Sequence, residues 1–423
     1  MKKILIISYL FAPNNDIGAV RPSKIAGLLA NKGYTVDVIS YGFKGNDTFP
    51  LPDNIRNHYM MNNQQVIIPC KSAGRKIHWK RSSCLVQSVK QHYRTYLLLR
   101  HGKQFVNFCL ELYKEKIASQ HYDVLFTSFG PPASLQCGLA IKKISPSIKW
   151  VCDFRDPVLT EDSPLLYFPF FHYIQSKSCK SADHIVAVSN GYLRRICGNK
   201  YTSKRHMIPN GYDSADLTGF ESCVPPTDSF HIAYVGTLYE GKRKITPLFQ
   251  VLRELADEGQ VDLNKIFFDY AGGDGSYLLA QASGYNMGSV VRDHGVLPRK
   301  ECLKMQFSSH LLVLSTWNNR GEEGVFPGKF LEYMLIRRPI ISITDGNMPE
   351  GEVTSVMREG DFGVAYESIR DKEEIALLRE YIRICYSEWL QKGSITYEPV
   401  QEVLERYNYN RIIKQIEELI CEK

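Results

Sequence analysis

Two successive runs of alternating strand and helix signals constrain this chain more than any other feature. Lys3–Ser8 (KILIIS) is a short, β-branched apolar run, as a strand buried on both faces requires. A loop, YLFAPNNDIGAV, leads to a helix over about residues 21–31, where Ile25, Leu28 and Leu29 point inward and Gly33 ends the turn. Residues 34–40 (YTVDVIS) then form a second buried strand. Strand, helix and strand in that order open a parallel, doubly wound α/β sheet. Residues 123–128 (DVLFTS), 149–153 (KWVCD) and 182–189 (ADHIVAVS) continue it, with helices over about 105–118 and 133–144. Residues 214–229 are polar with paired prolines and read as a linker. The pattern restarts with strands at 231–235, 267–271, 290–295 and 311–315, and a helix over about 247–258. At 423 residues, two Rossmann-like domains are expected, 1–213 and 230–401.

Three stretches carry charge where such sheets bind ligands, at the carboxyl ends of strands. In residues 321–344 (GEEGVFPGKFLEYMLIRRPIISIT), Pro327 and Gly328 open a helix, and Phe330, Leu331, Met334 and Leu335 give it a buried face. Lys329 and Glu332, three apart, share another face. A Gly-containing entry with a Lys in the first turn suits a phosphate or diphosphate, and a carboxylate one turn on suits ribose hydroxyls. An exposed ion pair explains the same spacing. The loop after residues 231–235 holds Gly236, Thr237, Lys242, Arg243 and Lys244 just ahead of a helix, so cations and N–H groups converge there. The strand at 149–153 runs into Asp153, Phe154, Arg155, Asp156 and Pro157. Those charges face a ligand or tie down a loop.

Composition excludes several classes. The eleven cysteines include no C-x-x-C pair and no His partner at metal spacing, so reduced thiols in a cytosolic protein are expected. The start, MKKILIISYLFAPNN, has lysines and an apolar run but no small-x-small cleavage site, and reads as the first strand. The first loop lacks G-x-G-x-x-G, which disfavours a nicotinamide enzyme; its single Gly18 is also explained by a turn.

The net charge of +7 is concentrated. Between Asp53 and Glu111 there is no acidic residue, while Arg56, Lys71, Arg75, Lys76, Lys80, Arg81, Lys90, Arg94, Arg100 and Lys103 are all positive. Ile77, Trp79, Leu85, Val86, Tyr93, Tyr96, Leu97 and Leu98 are interleaved with them. Residues 54–110 therefore suit an anionic membrane surface, with a solvated helix face as the alternative. No nucleic-acid-binding motif accompanies the charge, and nucleic acid is not an expected partner.

PGKFLEYMLIRRPII resembles the K-x-x-E-Y segment of glycosyltransferases with the two-domain GT-B fold, near family 4. TSFGPPASLQ, DFRDP and the PNGYD at residues 209–213 are similar to elements of the same family. The resemblance implies a hexosyltransferase-type enzyme: two doubly wound domains facing a cleft, with a terminal helix (402–423) crossing back to complete the first. It implies a nucleotide-sugar donor held by Gly18, Gly236, Thr237, Lys242, Arg243, Gly328, Lys329 and Glu332. Asp153, Arg155 and Asp156 would serve a glycan or lipid-linked acceptor. No D-x-D triplet occurs, so a metal-independent reaction is expected, retaining in this family. The acid-free window at 54–110 points to a lipid-linked acceptor at the cytoplasmic face of a membrane, as in bacterial surface polysaccharide assembly. The family's E-x7-E departs here, since Gly324 stands eight residues before Glu332. A same-fold epimerase or hydrolase of the donor, or an inactive nucleotide-binding module, stays open.

Overall fold

The computed structural model describes residues 2–14, 16–42, 49–61, 84–159, 163–220, 222–239 and 241–422. The chain divides into two compact units, Met1–Asn210 with Tyr409–Lys423, and Gly211–Asn408. The first contains a sheet of β1 (Lys3–Ser8), β2 (Thr35–Tyr41), β3 (Asn57–Met61), β4 (Val124–Ser128), β5 (Lys149–Phe154), β6 (His184–Ala187) and β7 (Arg205–Met207). All pairs are parallel, in the order β3-β2-β1-β4-β5-β6-β7, so the strand order reverses between β1 and β4. Ligands of open α/β sheets sit at the carboxyl ends beside such a reversal.

Helix α1 (Ile17–Asn31) and the terminal helix (Tyr409–Cys421) cover one face, where Ile25, Ala26 and Leu29 share a core with Ile412, Ile413 and Ile416. Each buried Ile or Leu there contributes at most about 1.5–3 kcal/mol. Helices α2 (Cys84–Leu112), α3 (Ala133–Ile144), α4 (Phe168–Ser181) and α5 (Asn190–Cys197) accompany the other face, whose core holds Phe105, Cys137, Trp150 and Phe171.

The second unit repeats the plan with β8 (Phe230–Val235), β9 (Ile266–Ala271), β10 (Val291–Asp293), β11 (Leu311–Trp317), β12 (Ile340–Asp345) and β13 (Gly363–Glu367). The order is β10-β9-β8-β11-β12-β13, with the reversal between β8 and β11. Its helices are α6 (Thr246–Asp257), α7 (Gly275–Ser283), α8 (Arg299–Phe307), α9 (Gly328–Ile336), α10 (Glu352–Gly360) and α11 (Asp371–Lys392), followed by a short turn of helix at Gln401–Glu405.

Four features differ from expectation. Helix α1 starts at Ile17 rather than Arg21, because the Asp16 side chain accepts from Gly18 N at 2.8 Å and caps it; Pro22 lies inside. Helix α2 begins in the basic stretch and runs on through residue 105 without a break, Gly102 being tolerated where it packs on Ala133. Residues 214–229 belong to the second unit, since Leu217 and Phe220 are buried in its core and Phe220 stacks on Phe307. The helical turn at 401–405 is likewise part of that unit.

Of the basic stretch, Lys71, Arg75, Lys76, Ile77, Trp79, Lys80 and Arg81 lie outside the described residues, as do the side chains of Leu85 and Val86. Arg56 is a structural cation: it pairs with buried Asp37 through Nε at 2.9 Å and Nη2 at 2.5 Å. Burial works to raise the Asp37 pKa, but Arg56 and Tyr122 outweigh it and hold the carboxyl low.

Candidate active site

Across the first sheet, Ser40, Ser8, Ser128 and Asp153 lie side by side at the carboxyl ends of β2, β1, β4 and β5, and all four are buried. The Asp153 carboxylate takes Arg21 Nη2 at 2.8 Å, Arg21 Nε at 3.1 Å and Ser128 Oγ at 3.0 Å. Arg21, just inside α1, also donates to the carbonyls of Ile208 at 3.0 Å and Pro209 at 2.6 Å. Burial works to lower the Arg21 pKa, and Asp153 beside it outweighs that and raises it, so the guanidinium stays charged. The Asp153 side chain is 0% exposed, and its oxygens are engaged by Arg21 and Ser128.

What this edge presents is Arg155. Its guanidinium lies on the backbone of Gly18, in the first turn of α1, and of Gly130, in the turn after β4. A Cβ on Gly18 would overlap Arg155 Nη1, and one on Gly130 would stand 2.7 Å from Nη2. Gly130 also sits at φ +137°, a conformation closed to other residues. Arg155 Nε donates to Asp156 Oδ2 at 3.0 Å, and Asp156 is half-exposed. Two glycines from separate turns thus form a slot for one cation, whose partner carboxylate faces solvent.

In the second unit Gly236 follows β8 at φ +150°, and the chain then loops to Arg243. Arg243 folds back so that Nη1 donates to the Thr237 carbonyl at 3.1 Å, while its guanidinium covers the rings of Tyr239 at 4.7 Å and Trp317 at 5.5 Å. Its buried Nε meets no acceptor among the described residues. Thr237 contributes a carbonyl here, its side chain being exposed. Lys244 is held away by Asp345 at 2.8 Å, and Lys242 is exposed. Trp317 closes β11, so Arg243 stands at the carboxyl edge of this sheet.

Helix α9 starts at the same edge, after the loop that follows β11. Its N-cap, Pro327, offers no side-chain acceptor to the first-turn N–H groups, and the space beside Gly328 is open. Tyr333 fixes the helix to the end of β8, accepting from Val235 N at 3.4 Å. Glu332 is 10% exposed, with Oε1 receiving Lys329 Nζ at 2.6 Å and Oε2 receiving Arg299 Nη1 at 3.0 Å. The i,i+3 ion pair is therefore present. A carboxylate has about four acceptor positions, and Lys329 and Arg299 take two of them. Burial works to raise the Glu332 pKa, but Lys329 and Arg299 outweigh it and lower it. The pairing therefore stabilises the fold above the ordinary carboxylate range and is lost only as pH falls through the depressed value. Glu322 and Glu323 serve their own loop: Glu322 accepts from Asn319 Nδ2 at 3.3 Å and Glu323 from Gly321 N at 3.0 Å.

Solved structures share this fold over nearly the whole chain. Sucrose-phosphate synthase from Thermosynechococcus elongatus matches with a TM-score of 0.63 at 15% identity, covering 99% of this chain and 98% of its own. The E. coli trehalose-6-phosphate protein bound with UDP-2-fluoro glucose gives 0.61 at 13% identity, covering 100% of both chains. WaaG, a glycosyltransferase involved in lipopolysaccharide biosynthesis, gives 0.51 at 10% identity, covering 99% of this chain and 100% of its own. No curated protein matches the chain by sequence. Residues 24–216 match the family model Glycosyltransferase Family 4. The chain has the fold of these structures.

Several residues of the candidate site are not visible in the sequence. Arg21 reads in the sequence only as the start of the first helix, and its partner Asp153 lies 132 positions away. Tyr239 and Trp317, which hold Arg243, belong to different segments, although a Trp closing an apolar strand was an available signal. Arg299, which shares Glu332 with Lys329, starts a helix that sequence reading left unassigned.

Proposed function

We propose that this protein is a glycosyltransferase that moves a sugar from a nucleotide-sugar donor to a hydroxyl of a glycan or lipid-linked acceptor, with no metal and with retention at the anomeric carbon. The observation that supports this reading best is Arg243. A guanidinium stacked on two rings, with a buried Nε lacking an acceptor among the described residues, stands at the same sheet edge as an uncapped helix start. A diphosphate suits both: its oxygens meet the positive charge of the half-buried Arg243 guanidinium, and first-turn N–H groups of α9 with Lys242 supply further positive potential. Glu332 uses its remaining acceptor positions for the ribose hydroxyls.

The bond from the anomeric carbon to the diphosphate breaks, a bond to the acceptor oxygen forms, and the acceptor proton passes to the departing phosphate. Charge develops on that phosphate, where Arg243 stabilises it. On the first unit Arg155 and Asp156 meet the acceptor, while Asp153 acts by holding Arg21 beneath them. Gly18 leaves room on α1 for the Arg155 guanidinium. The cations of residues 54–110 favour an acceptor presented at an anionic membrane on its cytoplasmic face, as in assembly of bacterial surface polysaccharide. The lipopolysaccharide role of WaaG is in keeping with that assignment.

Removing Glu332 by Glu332→Ala is expected to weaken donor binding by about 1.5–3 kcal/mol, the range for hydrogen bonds to a charged group. Titration of donor into the folded variant checks this, and wild-type affinity would remove Glu332 from the ribose site. Transfer in excess chelator is expected to proceed at the full rate. Loss of transfer restored by a divalent ion would overturn the metal-free reading.

A further inference from the structure

The amino half of α2 and the turn before α4 form one exposed surface. Val89, Tyr93, Tyr96, Arg100 and Lys103 are all exposed on α2. At 3.6 residues per turn they fall within a sector of about 80°. The apolar members occupy the amino end of that stripe and the cations follow. In the turn Leu165–Tyr167, Leu165 is 86% exposed and Leu166 72%, with Phe168 and Tyr173 also exposed just beyond. The two elements meet where His92 packs on Tyr167, ring centroids 6.1 Å apart.

The chain path fixes where this surface lies. Gly102 packs against Ala133, the first residue of α3, which follows the carboxyl end of β4. Helix α2 runs back from there toward the amino end of β4, so its residues before Gly102 overhang the carboxyl edge. The turn Leu165–Tyr167 follows β5 and the Arg155–Asp156 pair at that same edge. The apolar surface is therefore on the side of the first unit where the acceptor residues stand.

We propose that this surface docks the first unit on an anionic lipid bilayer, with Leu165 and Leu166 entering the headgroup boundary and Tyr93 and Tyr96 lying at its level. The inference rests on the membrane-presented acceptor argued above and names the surface that meets the membrane. Charge selects the occupant. The stripe and its surroundings expose Arg94, Arg100, Lys103, Lys177 and Lys180, and neither α4 nor α2 before Glu111 contains an acid. Glu161 and Asp162, which precede the turn, lie outside the described residues. A second copy of the chain would set these cations against cations, whereas an anionic bilayer neutralises them and accepts the leucines.

Co-sedimentation of the full chain with phosphatidylglycerol-containing vesicles, against neutral phosphatidylcholine vesicles, tests the proposal. Wild-type protein is expected to bind only the anionic vesicles, less so as salt rises. Leu165→Ser with Leu166→Ser is expected to reduce partitioning at least tenfold while transfer to a water-soluble acceptor is unchanged. Leu166→Trp is expected to show a blue-shifted emission on anionic vesicles. Undiminished binding by the serine variant, with no blue shift, would overturn the docking surface and leave the cation-based membrane reading intact. Failure of the wild type to bind anionic vesicles at low salt would overturn both. A solution dimer dissociated by the serine variant would assign the surface to a second copy and contradict the proposal.

Discussion

Arg21→Ala is expected to destabilise the first unit by about 3–5 kcal/mol, the cost of leaving a buried carboxylate without its cation. Asp153 has no exposure through which water could replace Arg21, and Ser128 alone offers a single donor. The carbonyls of Ile208 and Pro209 lose their Arg21 donors in the same variant. Arg21→Lys is expected to recover only part of the loss, because an ammonium cannot span Asp153 and two carbonyls with a planar fork. The double change Arg21→Met with Asp153→Leu removes both charges and is expected to be more stable than either charge-deleting single variant. Denaturant unfolding midpoints check all three. A loss below about 1 kcal/mol for Arg21→Ala, the size of an exposed pair, would show that water reaches the pair.

The second large effect belongs to catalysis. Arg243→Ala is expected to lower turnover by about 10²- to 10³-fold, the range for losing one preorganised donor to charge that grows in the transition state. Its stability effect is expected to be small, about 0.5–1 kcal/mol, since what the fold loses is a cation stacked on Tyr239 and Trp317 and one bond to a carbonyl. Arg243→Lys keeps the charge but not the fork or the stacking plane, and is expected to recover little turnover. Steady-state rates at saturating donor separate this from a binding defect. Turnover within a few-fold of wild type would move the leaving diphosphate away from Arg243.

What could be read from the sequence depended on how each element is buried. Strands β1, β2, β4, β5, β8, β9 and β11 are buried at nearly every residue and read as mostly apolar runs. Strand β3 (NHYMM) is an edge strand, only half-buried, and reads as loop. Strand β13 begins at Gly363, at φ +123° where a Cβ would meet the Ile340 backbone, and that glycine resembles a turn signal. The site divides in the same way. Local features were legible: the helix start at Pro327 and Gly328, the Lys329–Glu332 spacing, and the cations ahead of α6. The partners that give those residues their state were not, because they are distant in the chain. Asp153 and Arg155 look equivalent in DFRDP, yet one is sealed under Arg21 and the other lies on two glycines, a difference set by α1 and the turn after β4.

The account stands on donor binding by the second unit, and titration of nucleoside diphosphates and their sugars into wild type, Arg243→Ala and Glu332→Ala tests it most directly. At least one nucleoside diphosphate is expected to bind the wild type and raise its unfolding free energy by about 2.7 kcal/mol at a hundred times its dissociation constant. Each variant, still folded, is expected to bind it at least tenfold more weakly. Absence of binding by every nucleoside diphosphate and nucleotide sugar, or equal binding by all three proteins, would contradict the account.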